Sequence, residues 1–435
     1  MDRTERAFIA VLALITIVYL VLFGYYLGAT GLRVPVVDVI YWVLHYIDHW
    51  MTGDWWGYLW TPHNEHRLVW SRVLLVVDLA WLGGNGVSFL LFGIACMVVL
   101  VGAILREVMA SELAPGPRAA VALMVVLLLA TSFNGIDCSV PQLGLYLHTC
   151  AFLVLALVLL DAKGEGGAHA TARRFGAIAA AVASTFGVSG GLLAFPVLHW
   201  AAWRGGLGLR WIAIIWLVGA LLIPAYVSGL GKNDVAPSLD AMTLLRLGDY
   251  VIRFLGLPWS HSPSLVNFGR AIGLATAGFG GYVLLRFGIF QRPRSRLERI
   301  AIGMLLFSFM TAALIAASRV NTAPDREMPI RYALFTSLAQ VSLLLIAAPW
   351  LGRIWVGSRR WMAQAVVLLG AVLFLGQQIL GGRAGAEGAA QYTAAYRAME
   401  AGKWSPDQEG MVGNPANVGR VLRFVHAHGL YRADR

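Results

Sequence analysis

A succession of apolar runs, each about as long as a bilayer's hydrocarbon is thick, constrains this chain more than any other feature. Eleven such stretches lie near 8–28, 87–105, 118–134, 143–161, 175–187, 188–203, 211–229, 267–290, 300–318, 331–351 and 362–381. About 20 helical residues, at roughly 1.5 Å each, cross ~30 Å of hydrocarbon. The pattern predicts an all-α, polytopic membrane protein with about 11 transmembrane helices. Composition points the same way, because only 13% of the 435 residues are charged and 58% are apolar. A soluble domain covers its surface with about a quarter charged residues, so most of this surface faces lipid. The two stretches from 175 to 203 are short and read either as a hairpin or as a helix broken around Gly187–Gly191.

The basic residues behind the net charge of +11 lie in short clusters between the apolar runs. Such clusters are topology signals, and they argue against a nucleic-acid partner. Arg3 with Arg6, Arg106 with Arg118, Arg173 with Arg174, Arg204 with Arg210, the run Arg292 to Arg299, and Arg353 with Arg360 all mark cytoplasmic segments. The N-terminus is then cytoplasmic, and Ala7 to Leu27 is a retained first span, too long for a signal-peptide core. Cys96, Cys138 and Cys150 show no Cys-x-x-Cys spacing and suggest neither a disulfide framework nor a zinc site.

The segment 68–82 is apolar but only about fifteen residues long, and it carries Arg72 and Asp78. Both are costly at lipid depth, so it reads as a juxtamembrane helix. The face opposite the basic clusters then collects 29–67, 131–142, 187–190, 230–264, 319–330 and a tail from 382, which puts the C-terminus outside the cell's inner or plasma membrane. Within these segments, 240–256 alternates apolar and charged residues at helical spacing, as an interfacial helix would. The chain divides into a transmembrane domain, 1–381, and a small extracytoplasmic tail, 382–435, with helices expected near Gln391–Ala401 and Asn417–His428. The tail reads equally as a cap on the polar face or as a surface appendage.

The first outer loop holds most of the chemistry. Between Asp38 and Arg67 lie four carboxylates and four histidines, beside Tyr41, Trp42, Trp55, Trp56 and Trp60. Aromatic residues are expected at any membrane interface and also stack on sugar rings. Ionisable groups crowded between two hydrophobic elements mark a candidate site. His63 and His66 would share a helical face and, with Glu65, could hold a divalent metal such as zinc; no third protein ligand is evident, so a resident metal is not favoured and no cofactor is expected.

A second group, Arg319, Asn321, Asp325, Arg326, Glu327, Arg331 and Tyr332, places three arginines in an outer segment, against the positive-inside trend. Guanidinium groups there suit an anionic phosphate, or they pair internally with Asp325 and Glu327. A third and weaker group is Asn134, Asp137, Gln142, Tyr146 and His148.

This layout resembles the GT-C superfamily of membrane glycosyltransferases, which includes protein O-mannosyltransferases and the enzymes that add aminoarabinose to lipid A. In those families a catalytic acidic residue opens the first outer loop, and a His-Pro-Pro-Leu segment closes it. Here Asp38 takes the first place and His63-Asn64-Glu65-His66-Arg67-Leu68 the second. The sequence departs in lacking an Asp-Glu pair at 38 and in replacing the prolines by Asn64 and Glu65. It is closer to a group of bacterial membrane proteins with Asn-Glu-His-Arg after the first loop and Arg-Tyr, here Arg331-Tyr332, at a late span.

The resemblance, over about residues 1–350, implies inverting transfer of a sugar from a polyprenyl-phosphate donor to a cell-envelope glycan or lipid acceptor on the extracytoplasmic face. Such a reaction needs a carboxylate for the acceptor proton, cations for the leaving phosphate and a lipid-facing entrance. On this reading Asp38 is the general base, with Glu65 as a second acid. Arg331 and Arg326 hold the donor phosphate, with Tyr332 on a phosphate oxygen or the sugar. His63, His66, Arg67 and Asp137 line the acceptor pocket. The partners are the lipid-linked donor, the acceptor and membrane lipids. Two other functions compete: a polymerase or ligase using a polyprenyl-diphosphate glycan, and a transporter. Transporters concentrate charges near the midplane, often in internal repeats; this chain shows neither.

Overall fold

The computed structural model describes residues 2–31, 33–35, 38–160, 167–230, 240–260, 265–319, 328–403, 405 and 414–431. Among these the regular structure is helical, apart from one isolated bridge between His63 and His66. Seven helices are long and apolar enough to cross a membrane: α1 (Arg3–Ala29), α5 (Val87–Met109), α11 (Leu209–Val227), α13 (Val266–Val283, continued to Phe290), α14 (Arg296–Arg319), α15 (Ala333–Val356) and α16 (Arg360–Glu400). An eighth results if α6 (Pro115–Leu129) and α7 (Ser132–Ser139), bent by 55°, form one span. The protein is therefore a polytopic helical membrane protein. The remaining apolar stretches fall on shorter helices, α8 (Gly144–Leu160), α9 (Ala168–Thr185) and α10 (Ala194–Gly205).

Helix α1 illustrates the local logic. Asp2 caps it by accepting the Glu5 N–H at 2.8 Å, and the helix is then apolar on every side, as a lipid-solvated helix is. Leu14, Ile17 and Val21 face outward, whereas Leu12, Thr16 and Tyr19 are buried against the bundle. Helix α8 is buried around nearly its whole circumference and forms the centre of the bundle.

The helix ends that carry the basic clusters gather on one side of the molecule. Trp355 donates to Glu5 at 3.0 Å, Arg360 pairs with Asp2, Arg296 binds Glu107 at 3.0 Å, and Arg204 reaches the Phe287 carbonyl at 3.3 Å. The opposite ends of α14 and α15 carry Arg319 and Arg331, and Asp38 and the turn after α9 lie beside them. Helices α9 and α10 are the arms of a hairpin joined there by a 3₁₀ turn, Ser189–Leu193, which settles the hairpin-or-broken-helix alternative. A Cβ on Gly191 would collide with the Ser184 carbonyl, so this turn requires glycine.

Helix α4 (Val69–Trp81) lies along this second end. Trp70 donates its ring N–H to the Ala183 carbonyl at 2.8 Å, near the close of α9, and Asp78 accepts the Gly86 and Ser88 N–H groups at the start of α5. Both of its ends thus meet the same side of the bundle. Asp78 is buried as the cap of a neighbouring helix rather than as a charge in lipid.

The tail departs from the sequence-based boundary at 381. Helix α16 runs unbroken for 41 residues and merges the last apolar stretch with the helix expected at 391–401. Gly381 and Gly382 sit where α16 touches Phe133 and Tyr26 too closely for a side chain, and Gly385 lies tight against Thr30 and Ile136. Helix α17 (Pro415–His428) then folds back on the first loop. Arg420 pairs with Asp48, His426 lies 2.9 Å from Glu400, and Phe424 packs on Tyr46. Helix α12 (Ala241–Leu255) is amphipathic as expected, with Met242, Leu244 and Leu245 exposed and Phe254 and Leu255 buried.

Candidate active site

At the end opposite the basic clusters, a half-open cavity of about 410 Å³ is lined by Asp38, His63, Asn64, Glu65, His66, Gln142, Tyr146, Ser189, Arg319, Arg331, Tyr332 and Tyr392. Leu143, Leu314, Ile315 and Phe335 supply an apolar side. The first loop, the α9–α10 turn, the end of α14 and the starts of α8 and α15 therefore converge on one space. A cleft combining convergent charged groups with an apolar wall is the usual form of a small-molecule site.

Asp38 opens α2 (Asp38–His45). His63 Nε2 lies 3.5 Å from its Oδ1, a long contact, and its side chain is 39% exposed, so the carboxylate reaches the cavity. Burial raises the Asp38 pKa, but the contact with His63 and the charges of His63 and Arg331 outweigh it and hold the pKa below the ordinary carboxylate value. Asp38 is consequently ionised at neutral pH and available as an acceptor of protons.

Residues 63–66 form a tight turn rather than a helix. His63 and His66 exchange backbone hydrogen bonds of 2.8 and 2.9 Å, and Asn64 takes φ +52°, which asparagine tolerates better than most residues. The shared helical face on which a zinc reading of His63 and His66 depended is absent, and among the described residues no three His, Cys, Asp or Glu side chains group as metal ligands. Glu65 projects into the cavity, its Oε1 3.6 Å from Arg319 Nη2 and 3.8 Å from His66 Nε2.

Arg331 enters from a short 3₁₀ turn, Ile330–Tyr332, and its guanidinium lies 5.5 Å from the Tyr332 ring centroid. Among the described residues its buried Nε has no hydrogen-bond partner. Tyr332 is buried edge-to-face against Tyr146, with centroids 5.7 Å apart. Arg326 lies outside the described residues, as do Asn321, Asp325 and Glu327.

Two candidate residues are elsewhere. Arg67 turns away from the cavity: its Nε donates to the Tyr226 carbonyl at 2.7 Å, and Nη1 and Nη2 donate to the carbonyls of Trp60 and Ser228. The guanidinium also stacks 4.6 Å from the Trp60 centroid. It is a strut between the loop and the end of α11. Asp137 is buried in α7 and does not line the cavity. Of the third group, Gln142 and Tyr146 face the cavity, whereas Asn134 and His148 are buried in the bundle.

Ser189 and Tyr392 were not singled out by sequence. A serine inside a glycine-rich break between two apolar arms was the available signal for the first. Tyr392 carried none, because its position depends on α16 continuing past 381. No family model, curated protein or solved structure matches this chain.

Proposed function

We propose that the chain is a membrane glycosyltransferase with GT-C-like architecture, moving a sugar from a polyprenyl-phosphate donor to a cell-envelope glycan or lipid acceptor with inversion. The observation that carries this reading is a cavity at one end of a membrane bundle, lined by both an ionised carboxylate, Asp38, and the guanidinium of Arg331. Asp38 takes the acceptor proton as the hydroxyl attacks the anomeric carbon, and Arg331 stabilises the phosphate that leaves. Tyr332 supports the phosphate side and Glu65 orients the acceptor. The apolar wall from Leu314 to Phe335 suits the first isoprene units. No resident metal or cofactor is assigned.

The basic helix ends face the cytoplasm under the positive-inside trend, so the cavity and the C-terminal helix are extracytoplasmic and the N-terminus is cytoplasmic, in the inner or plasma membrane. On this reading α8, α9 and α10 complete eleven spans. The presence of both Arg319 and Arg331 at the cavity also favours, as a second reading, a ligase or polymerase acting on a diphosphate-linked glycan. Protein reconstituted in liposomes, supplied with polyprenyl monophosphate sugars or polyprenyl diphosphate glycans, separates the two. Transfer from the monophosphate alone supports the first; transfer from neither removes both.

A further inference from the structure

His66 and Ser189 are 123 residues apart, yet they meet at the cavity wall. The Ser189 backbone N–H points at His66 Nδ1 from 3.2 Å, and the Ser189 hydroxyl lies 3.1 Å from the same nitrogen. A backbone N–H can only donate, so Nδ1 accepts and the ring's proton belongs on Nε2. The donor is fixed in direction, because Val188 N–H is tied to Thr149 Oγ1 at 3.1 Å and Gly187 and Gly191 are wedged against neighbouring backbone. Nε2, for its part, faces Glu65 Oε1 at 3.8 Å, a gap that a small rotation of the half-exposed Glu65 side chain closes.

We propose that His66 is a positioning residue locked in its neutral Nε2–H tautomer by the Ser189 backbone, and that it presents this N–H to Glu65 so that the carboxylate's other oxygen meets the acceptor. Arg319 approaches the same Oε1, and among the described residues Oε2 makes no hydrogen bond. Protonating Nδ1 would set two hydrogens against each other. Burial and the charges of His63, Arg319 and Arg331 also disfavour the imidazolium, with Glu65 opposing. The role assigned to Glu65 rests on the transferase reading above; the tautomer lock does not.

Solid-state ¹⁵N spectra of histidine-labelled protein in bilayers test the lock, with the His66 signals identified by their loss in His66→Gln. The expected result is a protonated Nε2, recognised by coupling to both carbon-bound ring protons, and a bare Nδ1 at neutral pH. Ser189→Ala should leave this pattern unchanged. Ser189→Pro removes the N–H where the backbone accepts proline, since Val188 is extended (φ −127°, ψ 159°) and residue 189 opens a helical turn; its Cδ takes the place of the hydrogen and pushes the ring away from this contact, so it should yield mixed tautomers. An Nδ1–H tautomer or an imidazolium in the parent, or an unchanged Ser189→Pro spectrum, overturns the lock. In the transfer assay, His66→Gln, whose amide nitrogen stands near the place of Nε2, should keep the acceptor KM within about threefold, whereas His66→Asn should raise it about tenfold or more, the equivalent of ~1.4 kcal/mol. Equal impairment of the two in an active enzyme overturns the positioning role. A correct tautomer in a protein that transfers no sugar instead overturns the transferase reading, and the role assigned to Glu65 with it.

Discussion

Replacing Arg67 by Met tests whether the first loop is held as described. Met keeps an unbranched stem but removes the donors that satisfy the carbonyls of Tyr226, Trp60 and Ser228. Hydrogen bonds from a charged donor contribute about 1.5–3 kcal/mol each, and an aromatic stack such as that on Trp60 adds about 0.5–2 kcal/mol. The bonds to Trp60 and Ser228 are only part-buried, so water recovers some of that loss. A net destabilisation of about 3–5 kcal/mol is expected, comparable to removing one partner of a buried ion pair. Tyr226→Phe, which strips only the hydroxyl accepting the Arg67 backbone N–H at 2.9 Å, should cost about 1–3 kcal/mol. Denaturant unfolding of the detergent-solubilised protein, followed by tryptophan fluorescence, gives both values. If Arg67→Met unfolds at the parent's midpoint while losing affinity for donor or acceptor, the guanidinium works in the cavity and the strut is wrong.

Asp38→Asn should lower kcat by about 10²–10⁴-fold, the span of general-base catalysis, with the donor KM nearly unchanged; lost donor binding would refute its role as base. Because His63 is among the groups holding the Asp38 pKa down against burial, His63→Phe should move the acid limb of kcat/KM to higher pH, and an unshifted limb would show that the two do not interact. Arg331→Ala should raise the donor KM at least about tenfold and Arg331→Lys less, if a guanidinium fork contacts the phosphate; an unchanged KM removes Arg331 from the donor site. The pairs Arg420–Asp48 and His426–Glu400 are exposed and each contributes at most about 1 kcal/mol, whereas Val421 and Val425 are fully buried. Limited proteolysis should therefore release α17 in Val421→Asp and leave it docked in Arg420→Ala; the reverse would mean that ion pairs hold the tail.

Membrane class was legible because lipid imposes it on every residue of a span, and each of the long helices fell on an apolar run. The number of crossings was less so, since α8, α9 and α10 are shorter than lone spans and depend on neighbours that composition does not reveal. The length of α16 was hidden for a related reason, because the residues after 381 turn more polar and what keeps them in the helix is contact with distant parts of the chain. A glycine that breaks an isolated helix and a glycine that lets two helices touch look alike in sequence, and only Tyr26 and Phe133, far along the chain, distinguish them. At the site, Asp38, Glu65, His63, His66, Arg331 and Tyr332 were legible as polar residues beside apolar runs. Arg67 met the same criterion and failed it in space, because its direction is set by Tyr226, 159 residues away.

The misplacement of Arg67 also bears on how the cavity keeps its charge. Two buried cations are held by carbonyls: Arg67 by those of Trp60, Tyr226 and Ser228, and Arg72, on α4, through Nη1 by that of Tyr58 at 2.6 Å, with Tyr58 donating back to the Arg72 carbonyl at 3.2 Å. A carbonyl holds a guanidinium without supplying a counter-charge, so the loop is anchored on both sides of the 63–66 turn while Asp38 and Glu65 stay un-neutralised by the anchors. Their charge is answered by His63 beside Asp38 and, from across the cavity, by Arg331 and Arg319, whose helices start or end at this side of the bundle. A loop pinned instead by Asp38 or Glu65 to a neighbouring arginine would be equally rigid, but its carboxylate could not take a proton from an incoming hydroxyl. On the transferase reading, rigidity from neutral acceptors and reactivity from Asp38 and Glu65 are thus assigned to different residues within Asp38–Arg72.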